Sequence, residues 1–131
     1  MARQKKATLK NILVIESNSE LLELMQFFYT DHGYQVFIAD NYARGLNMMK
    51  EQKLKSAPID AIIIEARIKG VSWVEFLQAA RALSPTTPLF AMHSNTPEIS
   101  AKELSEQGAQ GVLEKPFIWE EALEMLGRTL T

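Results

Sequence analysis

The chain has 131 residues, 47% of them apolar and 23% charged, with a formal net charge of −2 and no cysteine. That is the composition of one soluble globular domain able to bury its own core, and the lack of Cys removes disulfides, thiolate metal sites and cysteine nucleophiles. The charge balance gives no reason to expect nucleic acid as a partner, and no apolar run approaches the ~20 residues of a membrane span. Residues 1–10 hold four basic side chains with no apolar stretch among them. They read as a flexible basic tail and not as a signal peptide, leaving 11–131 as the domain. A reducing, cytoplasmic setting and no membrane partner are the expectations that follow.

Ile12-Leu13-Val14-Ile15 is a short apolar run suited to a buried strand, closed by Glu16 and then Ser17-Asn18-Ser19, which offer helix N-caps. Leu21, Leu24, Met25 and Phe28 then recur at helical spacing, with Leu22 and Phe27 broadening the face, up to His32 and Gly33. Tyr34 to Ala39 predicts a second strand. Asp40 or Asn41 caps a second helix with Ala43, Leu46 and Met49 inward and Gly45 as its weak point, stopped before Pro58. Asp60-Ala61-Ile62-Ile63-Ile64-Glu65 predicts a third strand, buried on both faces until it meets a carboxylate.

A third helix falls within Val71 to Leu83, with Val74, Leu77 and Ala80 inward. Pro88 to Met92 is the fourth strand and delivers His93-Ser94-Asn95 at its end. A fourth helix starts near Pro97, carries Ile99 and Leu104 inward and ends at Gly108. Gly111-Val112-Leu113 is a short fifth strand followed by Glu114-Lys115-Pro116-Phe117, and a fifth helix runs from Trp119 to Leu130. Five strand–helix alternations with right-handed crossovers give an α/β doubly wound sandwich. In such a fold ligands sit beyond the carboxyl ends of the strands, where Glu16, Glu65, His93 and Lys115 emerge.

These segments, and above all Gly108-Ala109-Gln110-Gly111 leading to Lys115-Pro116-Phe117, resemble the receiver domain of response regulators. The likeness covers about Ile12 to Leu130. It implies the CheY-like, flavodoxin-like (βα)5 three-layer sandwich with a five-stranded parallel sheet in the order 2-1-3-4-5. It also implies a role in two-component or phosphorelay signalling, with no enzyme active site of its own. In a working receiver an aspartate at the end of the third strand takes a phosphoryl group from a histidine kinase. An acidic pair after the first strand joins it in holding Mg²⁺, and a hydroxyl residue and a lysine grip the phosphoryl oxygens by charge neutralisation.

Measured against that pattern, Glu65 holds the phosphoacceptor place and Glu16-Ser17 the place of the acidic pair. His93 stands at the hydroxyl position with Ser94 adjacent, Val112 replaces the aromatic that accompanies the switch, and only Lys115 and Pro116 match. Glutamate carries its carboxylate about 1.5 Å further from the backbone, and a misplacement of about 1 Å can cost ~100-fold in a transfer that depends on alignment. Glu65 can also reach Lys115, either as a permanent partial mimic of a phosphoryl oxygen or as a plain structural ion pair. Two carboxylates at ~4 Å repel by ~4 kcal/mol at an effective dielectric of 20; Lys115 offsets one of them, which leaves room for either a cation or Arg67.

No cofactor is required by this reading. Mg²⁺ on Glu16, Glu65 and the backbone carbonyl of Arg67 remains possible, though weakened by the missing third carboxylate. The bulk of His93 would fill the space of a rotating hydroxyl, unless a one-residue bulge brings in Ser94. Trp73 and Trp119 are either partner anchors or half-buried packing.

The expectation is therefore an atypical receiver acting as a protein–protein interaction module and not phosphorylated on Asp. Its partner would be a histidine kinase or another regulator, with homodimer formation through the face of the fourth helix, fifth strand and fifth helix. The alternatives are a receiver that is still phosphorylatable and Mg²⁺-dependent, or a flavodoxin-like small-molecule domain using Ser17-Asn18-Ser19 as phosphate donors.

Overall fold

In a computed structural model, which describes residues 9–66, 72–94, 100–115 and 119–130, strands and helices alternate along the whole chain. The strands are β1 (Asn11–Ile15), β2 (Gln35–Ala39), β3 (Ala61–Glu65), β4 (Leu89–Ser94) and β5 (Gly111–Lys115). The helices are α1 (Ser19–Asp31), α2 (Tyr42–Leu54), α3 (Trp73–Leu83), α4 (Ala101–Glu106) and α5 (Trp119–Leu130). All strand pairings are parallel and the sheet order is β2-β1-β3-β4-β5, as expected.

Strand alternation divides the core in two. Leu13, Ile15, Ile62, Ile64, Leu89 and Ala91 face one way, into a cluster completed by α2, α3 and α4 through Met49, Phe76, Ala80 and Leu104. Ile12, Val14, Ile63, Phe90, Met92 and Leu113 face the other way, against Leu22, Met25 and Tyr29 of α1 and Ala122 and Leu126 of α5. Because both faces are covered, β1 and β3 read as unbroken apolar runs.

Asn18, Asn41, Ser72 and Ser100 cap α1 to α4, each side chain accepting an N–H of the first turn. Gly33 and Gly108 follow α1 and α4 at φ +95° and +117°, a backbone region that favours glycine.

The helix rotations differ from expectation at several positions. Leu24 is 57% exposed and Phe27 73%; α1 buries Met25 and Leu22 as expected, and Tyr29 in addition. Val74 and Ala43 also face solvent, while α3 turns Trp73 and Phe76 inward and α2 turns Tyr42 inward. Gly45, read as a weak point, lies against β1, and a Cβ there would collide with the buried Ile15 side chain. Trp73 is buried, with Nε1 donating to Gln107 Oε1 at 2.7 Å, which excludes it as an exposed anchor. Trp119 is half-buried, 5.0 Å from Phe28. The basic tail as far as residue 8, the start of the fourth helix at Pro97 and Ile99, Arg67, Pro116 and the side chain of Ser94 lie outside the described residues.

Candidate functional site

Three side chains converge at the carboxyl ends of β1, β3 and β5. Glu16, Glu65 and Lys115 continue the alternation of Val14, Ile63 and Leu113, so all three stand on the α1/α5 face. Lys115 Nζ donates to Glu16 Oε1 at 2.6 Å and lies 3.5 Å from Glu65 Oε2. Lys115 was expected to offset one carboxylate; it lies within ion-pair distance of both, nearer to Glu16.

The remaining carboxylate oxygens are also engaged. Glu16 Oε2 accepts the Asn18 N–H at 3.0 Å. Glu65 Oε1 accepts both the N–H of Ser17, at 2.9 Å, and its hydroxyl, at 2.7 Å. Ser17 thus does more than mark a lost carboxylate: it clamps the side chain at the acceptor position. Behind it, the Tyr42 hydroxyl donates to the backbone carbonyl of Glu65 at 2.7 Å, tying the end of β3 to the first turn of α2. Neither role was read from the sequence; the signals were a hydroxyl beside Glu16 and a tyrosine opening a helix.

Glu16 is fully buried. Burial pushes its carboxyl above the ordinary carboxylate range, and the neighbouring charge of Glu65 adds to this; the hydrogen bonds from Lys115 and Asn18 pull it back. Four N–H groups of the β1–α1 turn are already taken: Ser17 by Glu65, Asn18 by Glu16, Leu21 by the Asn18 side chain and Leu22 by the Asn18 carbonyl. The donors that a phosphate would use there are already occupied, two by the protein's own carboxylates and two by Asn18.

His93 belongs to a different environment. The β4–β5 ladder runs regularly through His93↔Glu114 and Ser94↔Lys115, so no bulge shifts the register. Alternation from Leu89 and Ala91 places His93 on the α2–α4 face, away from Glu65 and Lys115. It is buried, and neither ring nitrogen has a hydrogen-bond partner among the described residues. Val112 packs on the same face. Among the described residues no group of three or more His, Asp or Glu is placed to hold a metal. No described helix is long and apolar enough to cross a membrane.

The sheet order, with an acidic residue, an acidic residue and a lysine at the ends of its first, third and fifth strands, defines a receiver-type α/β domain. The family model described as response regulator receiver domain matches residues 12–127, and the chain belongs to that family, which places it in two-component signalling. Among curated relatives, a Picosynechococcus protein described as a "probable transcriptional regulatory protein" is 27% identical over 85% of this chain and 45% of its own length. The transcriptional regulatory protein KdpE of Mycobacterium tuberculosis is 26% identical over 88% of this chain and 48% of its own. The chain therefore spans about half the length of these relatives. Among solved structures, the chemotaxis protein CheY4 of Vibrio cholerae superposes with a TM-score of 0.78 at 26% identity, covering 94% of this chain and all of that one. A receiver domain protein from Clostridium thermocellum reaches 0.82 at 21% identity over 93% of this chain and 94% of its own, a likeness of fold.

Proposed function

We propose that this receiver domain is a protein-interaction module of two-component signalling that is not switched by phosphorylation. The observation that carries the reading is the position of Lys115, 2.6 Å from one carboxylate and 3.5 Å from the other. The ammonium neutralises the two acids from within, and Glu65 has one oxygen held by two Ser17 donors and the other beside Lys115. An oxygen so engaged is a poor nucleophile, and its extra methylene displaces it from the place where an aspartate would attack.

The Mg²⁺ used by the family does not fit this donor set. Among the described residues two carboxylates are offered, each already carries protein donors, and a cationic group sits between them. A divalent ion would have to displace Lys115 and would gain too few oxygen ligands in return. The partner in this reading is a histidine kinase or another regulator of the same systems. It meets a surface of constant shape, the face of α4, β5 and α5.

The test is incubation with a small phosphodonor and Mg²⁺ followed by intact-mass measurement. The expected result is no change. A gain of about 80 Da, one phosphoryl group, would defeat the proposal. Glu65→Asp is the control: its labelling would isolate the extra methylene as the cause, and its failure to label would implicate Ser17 and His93.

A further inference from the structure

The edge strand β2 is flanked by two helices whose outward faces carry opposite charge. On α1, Glu20, Glu23, Leu24, Phe27, Thr30 and Asp31 are exposed and fall at three- and four-residue steps on one stripe. Phe27 borders a shallow groove with Glu23, Gln26, Thr30 and Asp31. The acids of this stripe have no ion-pair partner among the described residues. On α2 the outward face is net basic: Arg44 near its start and Lys50 toward its end are exposed, Lys55 is exposed at the C-cap beside Leu54, and Glu51 is the lone acid among them. Arg44 makes an exposed 3.6 Å pair with Asp40, and Lys50 and Lys55 have no such partner among the described residues.

A single exposed apolar residue needs no explanation. Here, however, Leu24 (57%), Phe27 (73%) and Leu54 (86%) are the three most exposed large apolar side chains among the described residues, and they sit on the two oppositely charged faces. We propose that the α1 face of one copy docks on the α2 face of a second copy. Apolar side chains anchor the contact, and the surrounding charges align and select it. Like-on-like pairing is disfavoured on both sides, acid against acid and base against base. The contact is therefore heterologous. Each added copy leaves one free α1 and one free α2 face, so assembly continues into a ring or a chain. It does not depend on how Glu65 is read.

Sedimentation equilibrium up to about 1 mM, where even a millimolar contact registers, tests this. The expected average mass rises with concentration above the 14.8 kDa of one chain. It falls back at about 0.5 M NaCl, where exposed charges are screened within roughly 4 Å. Phe27→Ser and Leu54→Ser should each be monomeric, because every contact needs both faces. Mixed in equal amounts they should give a dimer and nothing larger, since one complementary pair of faces survives. Circular dichroism should be unchanged for both, and the pair Glu23→Lys and Lys50→Glu repeats the test without altering an apolar side chain. A wild-type chain that stays monomeric overturns the proposal. So does a mixture that stays monomeric. Association of either variant alone would also overturn it, by placing the contact elsewhere, for instance on the α4-β5-α5 face.

Discussion

The two sides of the sheet treat buried polar groups in opposite ways at the same end of the strands. On the α1/α5 side, the Glu16 and Glu65 carboxylates are met by Lys115, Ser17 and the Asn18 N–H. On the α2–α4 side, His93 is buried with neither ring nitrogen partnered among the described residues. The difference follows from charge. A buried carboxylate must be paired or it loses its proton-free state, whereas a neutral imidazole can be enclosed at the smaller cost of an unmade hydrogen bond. One change, polar to apolar, should therefore have opposite signs on the two sides.

Lys115→Met is expected to have the largest effect, about 3 kcal/mol of lost stability, because it leaves Glu16 buried without its cation. The loss should depend on pH. Glu16 titrates above its ordinary 4.5 in the folded chain, so between 4.5 and the raised value the folded state binds more protons than the unfolded one. Wild-type stability from this group is then fully present below 4.5 and declines as pH rises through that window. Removing Lys115 raises the Glu16 pKa further, so urea unfolding should show a larger deficit relative to wild type at pH 7 than at pH 4.5. Adding Glu16→Gln should recover much of it. A deficit independent of pH would mean that lost packing, and not the unpaired carboxylate, is responsible.

His93→Leu is the counterpart and should stabilise the chain by about 1–2 kcal/mol, since it removes unpartnered polar atoms from the core. A destabilised variant would show that the imidazole has a partner in solution, such as an enclosed water, and would dissolve the contrast. The smallest effect belongs to Tyr42→Phe, expected to cost about 1 kcal/mol through the lost bond to the Glu65 carbonyl. In the same variant the Glu65 side chain should keep its Ser17 contacts, visible as an unshifted Ser17 amide resonance.

The order of elements was legible because β1 to β4 are short runs dominated by apolar residues and α1 to α4 each open on a capping side chain. Helix rotation was less so. In α1 the apolar residues Leu21, Leu22, Leu24, Met25, Phe27 and Phe28 run around most of the helix, and such a broad stripe identifies a helix without fixing which side turns inward. The site was legible at Glu16, Glu65 and Lys115 because strand ends converge in this fold. Ser17 and Tyr42 were not, since their hydrogen bonds join positions 48 and 23 residues apart that only the closed sheet brings together. The side on which His93 lies depends on the register of β4 against β3 and β5, a relation between strands that no single run of residues contains.

The buried indole of Trp73, bonded to Gln107, also makes the molecule its own optical instrument. The other tryptophan, Trp119, packs on Phe28 on the opposite side of the sheet from Trp73. Each helical layer therefore carries one chromophore. Emission from a Trp119→Phe protein reports the α3–α4 layer alone, and emission from a Trp73→Phe protein reports the α1–α5 layer, so the two halves can be watched separately as the chain unfolds or meets a partner.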